Sequence, residues 1–228
     1  AVRRAMDSER GYDESLWNTL CEQVGAAALV VPDDLGGAGG ELADAAVVLE
    51  ELGRGLVPTP LFGTTLAEFA LMAATSPDTD TLEQLASGER IGTVVFDPDY
   101  VVNGDVADVV LAVRDGTVVR WTDVTTGHLT PLDPTRRLAR LDPRGVSVIG
   151  PDPGLADIAA VLLAAEQVGA AARCLELTVE YTKQRAQFGK ALFDHAGDLF
   201  LAGFVQGDLD AGLIFVIAAA QGVVNAQD

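Results

Sequence analysis

Basic residues are scarce in this chain of 228 residues. Lysine and arginine together number 15, against 34 aspartates and glutamates, which gives a formal net charge of −19 at pH 7. Binding to nucleic acid requires clustered basic side chains that neutralise phosphates, and docking on an anionic membrane surface requires a basic patch. The composition therefore argues against both a nucleic-acid partner and a membrane partner.

Cysteine and histidine are also scarce, with two of each. Cys21 and Cys174 are far apart, and His128 and His195 are isolated, so the sequence offers no metal-ligand spacing and we predict no metal site. We expect two buried, reduced thiols in a cytoplasmic protein. No signal peptide is visible, and the longest apolar run, residues 211–220, is too short to span a bilayer. The first residue is not a methionine, so we expect a piece of a longer protein.

Hydrophobic periodicity divides the chain into three parts and predicts an α+β fold that is mainly α. Residues 1–90 have helical spacing and form a predicted N-terminal α-helical domain. Short β-branched segments separated by turn residues predict a middle β domain over residues 91–152, with a hairpin at Asp115-Gly116. From Leu155, apolar residues recur at steps of three or four for about thirty residues, which predicts a long helix inside a C-terminal helical domain, residues 153–228.

Capping, turn and spacing signals predict four local features in the first part of the chain. Asp13 is expected to cap a helix that stops at Gly25. Residues 28–32 are expected to be extended. Residues 36–40 read as a flexible glycine-rich loop, because they lack the sequence patterns of nucleotide-binding loops. A second helix is expected over residues 42–52, with Gly53 closing it.

The most informative stretch closes the long helix and runs from Tyr181 to Lys190, with the sequence YTKQRAQFGK. It places Arg185, Gln187 and Phe188 at the end of the helix, just before Gly189. A guanidinium can take a phosphate through paired charge-assisted hydrogen bonds. Gln187 can hydrogen-bond polar edges, and Phe188 can pack on a flat ring.

This stretch and the preceding AAEQVGAAARCLELTVEY resemble the flavin-binding helix pair of the acyl-CoA dehydrogenase family. A VPxxxGGxGG…VxEELGR…P pattern near the N-terminus resembles the same family, and the resemblance covers about Trp17 to Lys190. It implies FAD as the cofactor, with Arg185 holding the pyrophosphate of a neighbouring subunit and Phe188 packing near the adenine half. It also implies an N-terminal α domain, a small β domain and a C-terminal bundle that mediates oligomerisation.

Residues 100–104, YVVNG, resemble the strand and turn that follow the flavin in this family. The resemblance implies that Tyr100 and Val102 contact the isoalloxazine. The family carries a hydroxyl at the position of Val102, and valine cannot make that hydrogen bond, which forfeits about 1 kcal/mol. An ordinary hairpin at Asn103-Gly104 is the alternative interpretation.

The family removes the α-proton of the acyl group with a carboxylate base, and this sequence offers no obvious one. One family location lies in a C-terminal segment that is not present here. The other lies 26 residues before the motif arginine, where this chain has Ala159. Asp157 lies about 200° around the helix from it. Glu166 is expected to make a polar contact with another helix. Because none of these positions offers a base, the catalytic residue is unknown.

The resemblance implies an FAD-dependent subunit that catalyses or supports α,β-dehydrogenation of an acyl-CoA thioester, in fatty acid or steroid degradation. An electron-transfer flavoprotein would reoxidise the flavin, and the subunit would form a dimer or tetramer, with itself or with a paralogous chain. Val102 and Ala159 favour one alternative, a non-catalytic partner subunit of a hetero-oligomer. A flavin monooxygenase on the same fold is a second alternative, since it needs no such carboxylate.

Overall fold

Helices and a five-stranded sheet make up the protein in a computed structural model that describes residues 2–187, 190–191 and 206–211. The elements follow in the order helices, strands, long helix, which agrees with the predicted α+β class. The helices are α1 Val2–Met6, α2 Glu14–Thr19, α3 Leu42–Arg54, α4 Leu61–Met72, α5 Thr79–Ala86 and α6 Leu155–Gln184. The strands are β1 Gly92–Val95, β2 Val101–Val102, β3 Val109–Arg114, β4 Thr117–Leu129, β5 Leu138–Pro151, β6 Ala186–Gln187 and β7 Lys190–Ala191.

Helix α2 begins and ends where the sequence predicts. Asp13 caps it, because the Asp13 Oδ1 accepts a hydrogen bond from the backbone N–H of Leu16 at 3.1 Å. A π-helical turn, Leu20–Val24, continues the helix. Gly25 then ends it with a φ of 74°, a left-handed conformation that glycine adopts at no steric cost.

The glycine-rich loop of residues 36–40 is held against the chain rather than flexible. The amides of residues 38, 39 and 40 donate to the carbonyls of residues 28, 31 and 29 at 2.8–2.9 Å. A Cβ at Gly37 would lie 1.8 Å from the carbonyl oxygen of Val31, so this approach requires glycine. Residues 28–30 form turns and residue 31 forms a bend under the loop, so the prediction of an extended segment is wrong for these residues. The amides that a phosphate would need are already used.

The sheet has the strand order β1-β3-β4-β5-β2, with β1 parallel to β3 and the remaining pairs antiparallel. Asp115 and Gly116 join β3 to β4 with φ values of 50° and 72°, which confirms the predicted tight hairpin. Strand β5 includes the turn-forming residue types of residues 142–145 between its two apolar segments, residues 138–141 and 146–149. It pairs along nearly the whole of β4, so the ladder extends through the turn-like residues between those two segments.

One hydrophobic core extends from the N-terminal helices through the sheet to the first half of α6. Its members include Trp17, Leu66, Leu111 and Leu162, all of them buried. Beyond Gly169, none of the α6 residues is buried among the residues described. The core therefore continues across the predicted boundary at residues 152–153, between the middle β domain and α6.

Helices α3 and α6 cross in direct backbone contact. A Cβ at Gly53 would lie 2.1 Å from the carbonyl oxygen of Glu166, and a Cβ at Gly169 would lie 1.9 Å from that of Glu50. Gly53 therefore lies in the last turn of α3, where it permits close packing, and the prediction that it ends the helix is wrong because α3 continues to Arg54. Next to the crossing, Arg54 at the end of α3 forms an ion pair with Glu176, which lies two turns after Gly169 on α6.

The two cysteines differ in environment. Cys21 is buried in the core, and burial raises the pKa of its thiol to about 12. Cys174 is exposed on the second half of α6, so the prediction that both thiols are buried is wrong for this residue. The error follows from the helical spacing, which shows that a residue lies on one face but not whether that face is covered.

Helix α6 is long and apolar enough to cross a membrane by length and composition alone. The core helix of a soluble protein passes the same test. Only 33% of its most apolar window is buried within the described residues.

Glu68 is a fully buried carboxyl on α4. Neither of its oxygens has a hydrogen-bond partner among the residues described. Burial raises the pKa of this carboxyl well above its ordinary value of 4.5, so the group is held in its neutral form.

We expect Glu68→Gln to change the pH dependence of stability. In the wild type the folded-state pKa exceeds the unfolded-state pKa, so the stability from the neutral carboxyl is complete below the unfolded pKa. It is lost as pH rises towards the folded pKa, by up to about 1.4 kcal/mol per pH unit. The variant cannot ionise and lacks this loss. Urea denaturation at about pH 5 and about pH 8 measures it, and parallel pH profiles would contradict the assignment.

We expect Gly53→Ala and Gly169→Ala each to destabilise the protein by about 2–3 kcal/mol, because the added methyl overlaps backbone atoms that cannot move independently. This loss outweighs the gain of about 1 kcal/mol in helix propensity. Gly127→Ala is the matched control, since its Cβ would meet Arg140 at 3.8 Å, an ordinary contact. Denaturation midpoints equal to the control would show that the two helices can separate without cost.

Candidate functional site

A cleft of about 350 Å³ opens where α3, α6 and the sheet meet. Its walls come from the end of α3, residues 56–62, the end of β2, the loop between β4 and β5, and the middle of α6. The volume lies within the range of small-molecule sites, and the walls combine apolar and polar side chains. The apolar lining includes Leu49, Leu52, Val57, Phe62 and Leu163, and the polar lining includes Asn103, Asp133, Arg136, Glu166 and Gln167.

Strand β2 presents alternate residues to opposite sides. Val101 is buried in a second core cluster inside the sheet, whereas Val102 is half-buried and lines the cleft. The side-chain hydroxyl of Thr93 donates to the Val102 carbonyl oxygen at 2.8 Å, which fixes the strand at this point. Tyr100, one step earlier, is 64% exposed and does not line the cleft. The structure therefore places Val102 at the cleft and Tyr100 outside it.

The turn after β2 is not a hairpin. Strand β2 pairs with β5, where Val102 lies opposite Leu138, rather than with β3. Asn103 adopts a left-handed conformation with a φ of 53°, and its backbone N–H donates to the carbonyl oxygen of Arg137 at 2.9 Å. The alternative interpretation of residues 103–104 as an ordinary hairpin is wrong, because the chain leaves the strand to border the cleft.

Arg136 and Glu166 form an ion pair across the cleft. The Arg136 Nη2 lies 2.5 Å from the Glu166 Oε2, although the alignment is not that of a hydrogen bond. The Arg136 guanidinium lies over the ring of Phe62, 5.9 Å from its centroid. Glu166 thus contacts a loop of the sheet, which corrects the expectation of a contact with another helix. In the sequence DPTRRL, residues 133–138, two adjacent arginines in a turn-forming segment are the signal for Arg136.

The next arginine anchors this loop to the sheet. Arg137 Nε donates to the Asp105 Oδ2 at 2.7 Å, and the His128 Nδ1 lies 3.3 Å from the same oxygen. The Asp105 side chain is only 9% exposed. Because Arg136 and Arg137 point to opposite sides, the loop bridges α6 and the turn after β2.

Removing the anchor is expected to cost far more than removing a surface ion pair. Arg137→Gln leaves Asp105 buried without its cation, and we expect a loss of about 3 kcal/mol. Arg140→Gln is the control, because its pair with Asp99 is 64% and 54% exposed, and such pairs contribute about 0.5 kcal/mol. Chemical denaturation of both variants measures the difference. Equal losses would show that the Asp105 site is open to water.

The predicted nucleotide-binding residues lie at the far end of α6. Arg185 follows the helix in an extended conformation, its side chain is exposed, and its N–H donates to the Tyr181 carbonyl oxygen at 2.8 Å. Strands β6 and β7 pair antiparallel, with Ala186 opposite Ala191 and Gln187 opposite Lys190. Phe188, Gly189 and the side chain of Gln187 lie outside the described residues. Arg185 is fifteen residues beyond Ala170, about 22 Å along the helix, so a single chain does not bring it to the cleft.

The predicted positions for a base hold no carboxylate that faces the cleft. Ala159 lies one turn before Leu163 on the same side of α6 and packs against the core. Asp157 is exposed in the first turn. Among the described residues that line the cleft, the carboxylates are Asp133 and Glu166. Asp133 accepts hydrogen bonds within its own loop, and Glu166 is paired with Arg136.

Two family models match most of the chain. The model of the acyl-CoA dehydrogenase N-terminal domain matches residues 1–89, and that of the acyl-CoA dehydrogenase C-terminal domain matches residues 156–228. The unmatched part, residues 90–155, contains the five strands of the larger sheet.

Similar proteins carry the same family name. Acyl-CoA dehydrogenase IpdE2 of Mycobacterium tuberculosis is 64% identical over 192 residues, which cover 84% of this chain and 60% of the relative. The structure of a Tcur3481-Tcur3483 steroid ACAD variant superposes with a TM-score of 0.85 at 24% identity, covering 97% of this chain and 72% of the other. The ChsE4-ChsE5 complex from Mycobacterium tuberculosis gives 0.81 at 22% identity, covering 98% and 72%. This chain thus spans about 60% of the length of the curated relative.

Proposed function

The chain belongs to the acyl-CoA dehydrogenase family, and from that premise we propose that it is a flavoprotein subunit that catalyses or supports α,β-dehydrogenation of an acyl-CoA thioester. The observation that carries this proposal is the cleft beside Val102. In this cleft α6 lies next to the turn that resembles the flavin contact of the family. An electron-transfer flavoprotein is the proposed electron acceptor.

The residues around the cleft fit a flavin in part. An apolar wall from α3 and α6 suits a flat ring, and Asn103 and Gln167 offer amide groups at its edge. Val102 gives van der Waals contact but no hydrogen bond. When bound, FAD would accept the two electrons that leave the acyl group. This chain's own residues would orient the ring and exclude water from it.

The distance along α6 supports an assembly in which two chains share the flavin. Arg185 is exposed and far from the cleft of its own chain, as expected if its guanidinium holds the pyrophosphate bound to a neighbour. Leu177 and Tyr181 are also exposed on this half of the helix, at 47% and 59%. We propose a dimer or tetramer in which this half of α6 contributes to an interface.

A non-catalytic role within a hetero-oligomer is the second candidate, and a specific observation favours it. Ala159 stands where the family can place its base, and Glu166 is paired with Arg136 rather than available as a proton acceptor. Val102 lacks the hydroxyl. A paralogous chain would then supply the base, while this chain would supply Arg185 and the oligomerising helix.

Purification of the full-length protein, alone and co-expressed with its genomic neighbours, distinguishes the candidates. A yellow protein alone, whose flavin spectrum is bleached by an acyl-CoA without oxygen, supports the dehydrogenase. A colourless protein that gains flavin only with a second polypeptide supports the partner subunit. Oxygen uptake that depends on NADH or reduced flavin, with no bleaching by an acyl-CoA, would overturn both in favour of a monooxygenase.

We expect Val102→Thr to bind flavin about fivefold more tightly, because a hydroxyl in the cleft adds one hydrogen bond of about 1 kcal/mol. Val101→Thr is the matched control. It places the same hydroxyl on the other side of β2, inside the sheet, and should cost about 1–2 kcal/mol of stability with no gain in affinity. Fluorescence titration of the apoprotein with FAD measures both. Equal flavin affinities in the two variants would place the ring elsewhere.

A further inference from the structure

The charges that line the cleft include one cation and two carboxylates among the residues described: Arg136, Asp133 and Glu166. The Asp133 carboxylate accepts from the backbone N–H and the hydroxyl of Thr135, at 2.9 and 2.7 Å, within an exposed loop. Glu166 faces Arg136 directly. The formal sum over the three groups is therefore negative, and the one cation is already engaged.

The Arg136 guanidinium is placed as a carboxylate receptor would place it. Its Cζ lies over the Phe62 ring, 5.9 Å from the centroid, and this contact limits the orientations that the side chain can adopt. Its Nη2 meets a carboxylate oxygen at 2.5 Å. A planar guanidinium in this position could hold a ligand carboxylate with two parallel hydrogen bonds. Glu166 occupies the place of such a ligand.

The backbone of Glu166 cannot move away from this position. Its carbonyl oxygen is the atom against which Gly53 packs, so the backbone at Glu166 is fixed by the crossing of α3 and α6. The side chain is 22% exposed, and its Oε2 is buried. A ligand carboxylate that took Arg136 would leave Glu166 charged, largely desolvated and beside a second negative group, which is costly.

We propose that Glu166 is a specificity-determining residue that neutralises Arg136 and excludes acyl groups bearing a carboxylate from the cleft. The cleft accordingly accepts an uncharged acyl chain or ring beside Arg136, packed on Val57 and Phe62, while Val102, Asn103 and Gln167 border the flavin. This inference rests on the proposed function and places the acyl group in this cleft next to the flavin ring.

Octanoyl-CoA and its ω-carboxyl analogue suberyl-CoA test the proposal, since they have the same chain length and the same coenzyme A charges. The full-length protein in its native assembly is titrated with each, and the dissociation constants are compared. The wild type should prefer octanoyl-CoA. Glu166→Gln, which releases Arg136 without changing side-chain size, should shift the ratio of the two constants towards suberyl-CoA by at least about tenfold.

Two further variants separate this effect from general damage to α6. Glu176→Gln breaks two ion pairs outside the cleft, with Arg54 and with Arg173, and it should leave the ratio at its wild-type value. Arg136→Gln combined with Glu166→Gln removes the receptor and should reverse the gain.

The possible failures are distinguishable. If neither acyl-CoA binds the wild type or any variant, the proposed function is wrong and this inference falls with it. If octanoyl-CoA binds but the ratio is unchanged by Glu166→Gln, the proposed function stands and the role of Glu166 is overturned. A wild type that binds both acyl-CoAs equally well overturns that role too.

Discussion

The crossing of α3 and α6 is the contact on which the cleft depends. Gly53 and Gly169 let the two backbones meet, and the cleft opens beside this crossing. The end of α3, the segment that follows it and the middle of α6 keep their spacing because no side chain separates the helices. Glu166 belongs to the same contact through its carbonyl oxygen, so the geometry of the backbone also sets the position of a charge.

The β4–β5 loop is the second element that defines the site, and two adjacent arginines give it two attachments. Arg137 ties the loop to a buried carboxylate beside the turn after β2, and Arg136 ties it to α6. A site made from a helix, a strand end and a loop would otherwise allow independent movement of its parts. Successive side chains pointing in opposite directions allow one short segment to join two surfaces.

The sequence predicted what depends on local periodicity and failed where tertiary contacts decide. The long helix, the cap at Asp13 and the hairpin at Asp115-Gly116 follow from spacing and turn chemistry, and they are confirmed. Gly53 was misread because a glycine near a helix end looks the same whether it stops the helix or admits a neighbour. The cleft could not be predicted as a set, because its members come from five separate segments. The roles of Arg185, Gln187, Phe188 and Tyr100 stay predictions.

The exposure of α6 changes at Gly169, and this has a consequence for how the protein folds in the cell. The first half of the helix is part of the core and is stabilised by the chain itself. The second half has no buried residue among those described, so its order depends on what covers it. If that cover is another subunit, the stability of one end of a single helix rises with protein concentration while that of the other end does not.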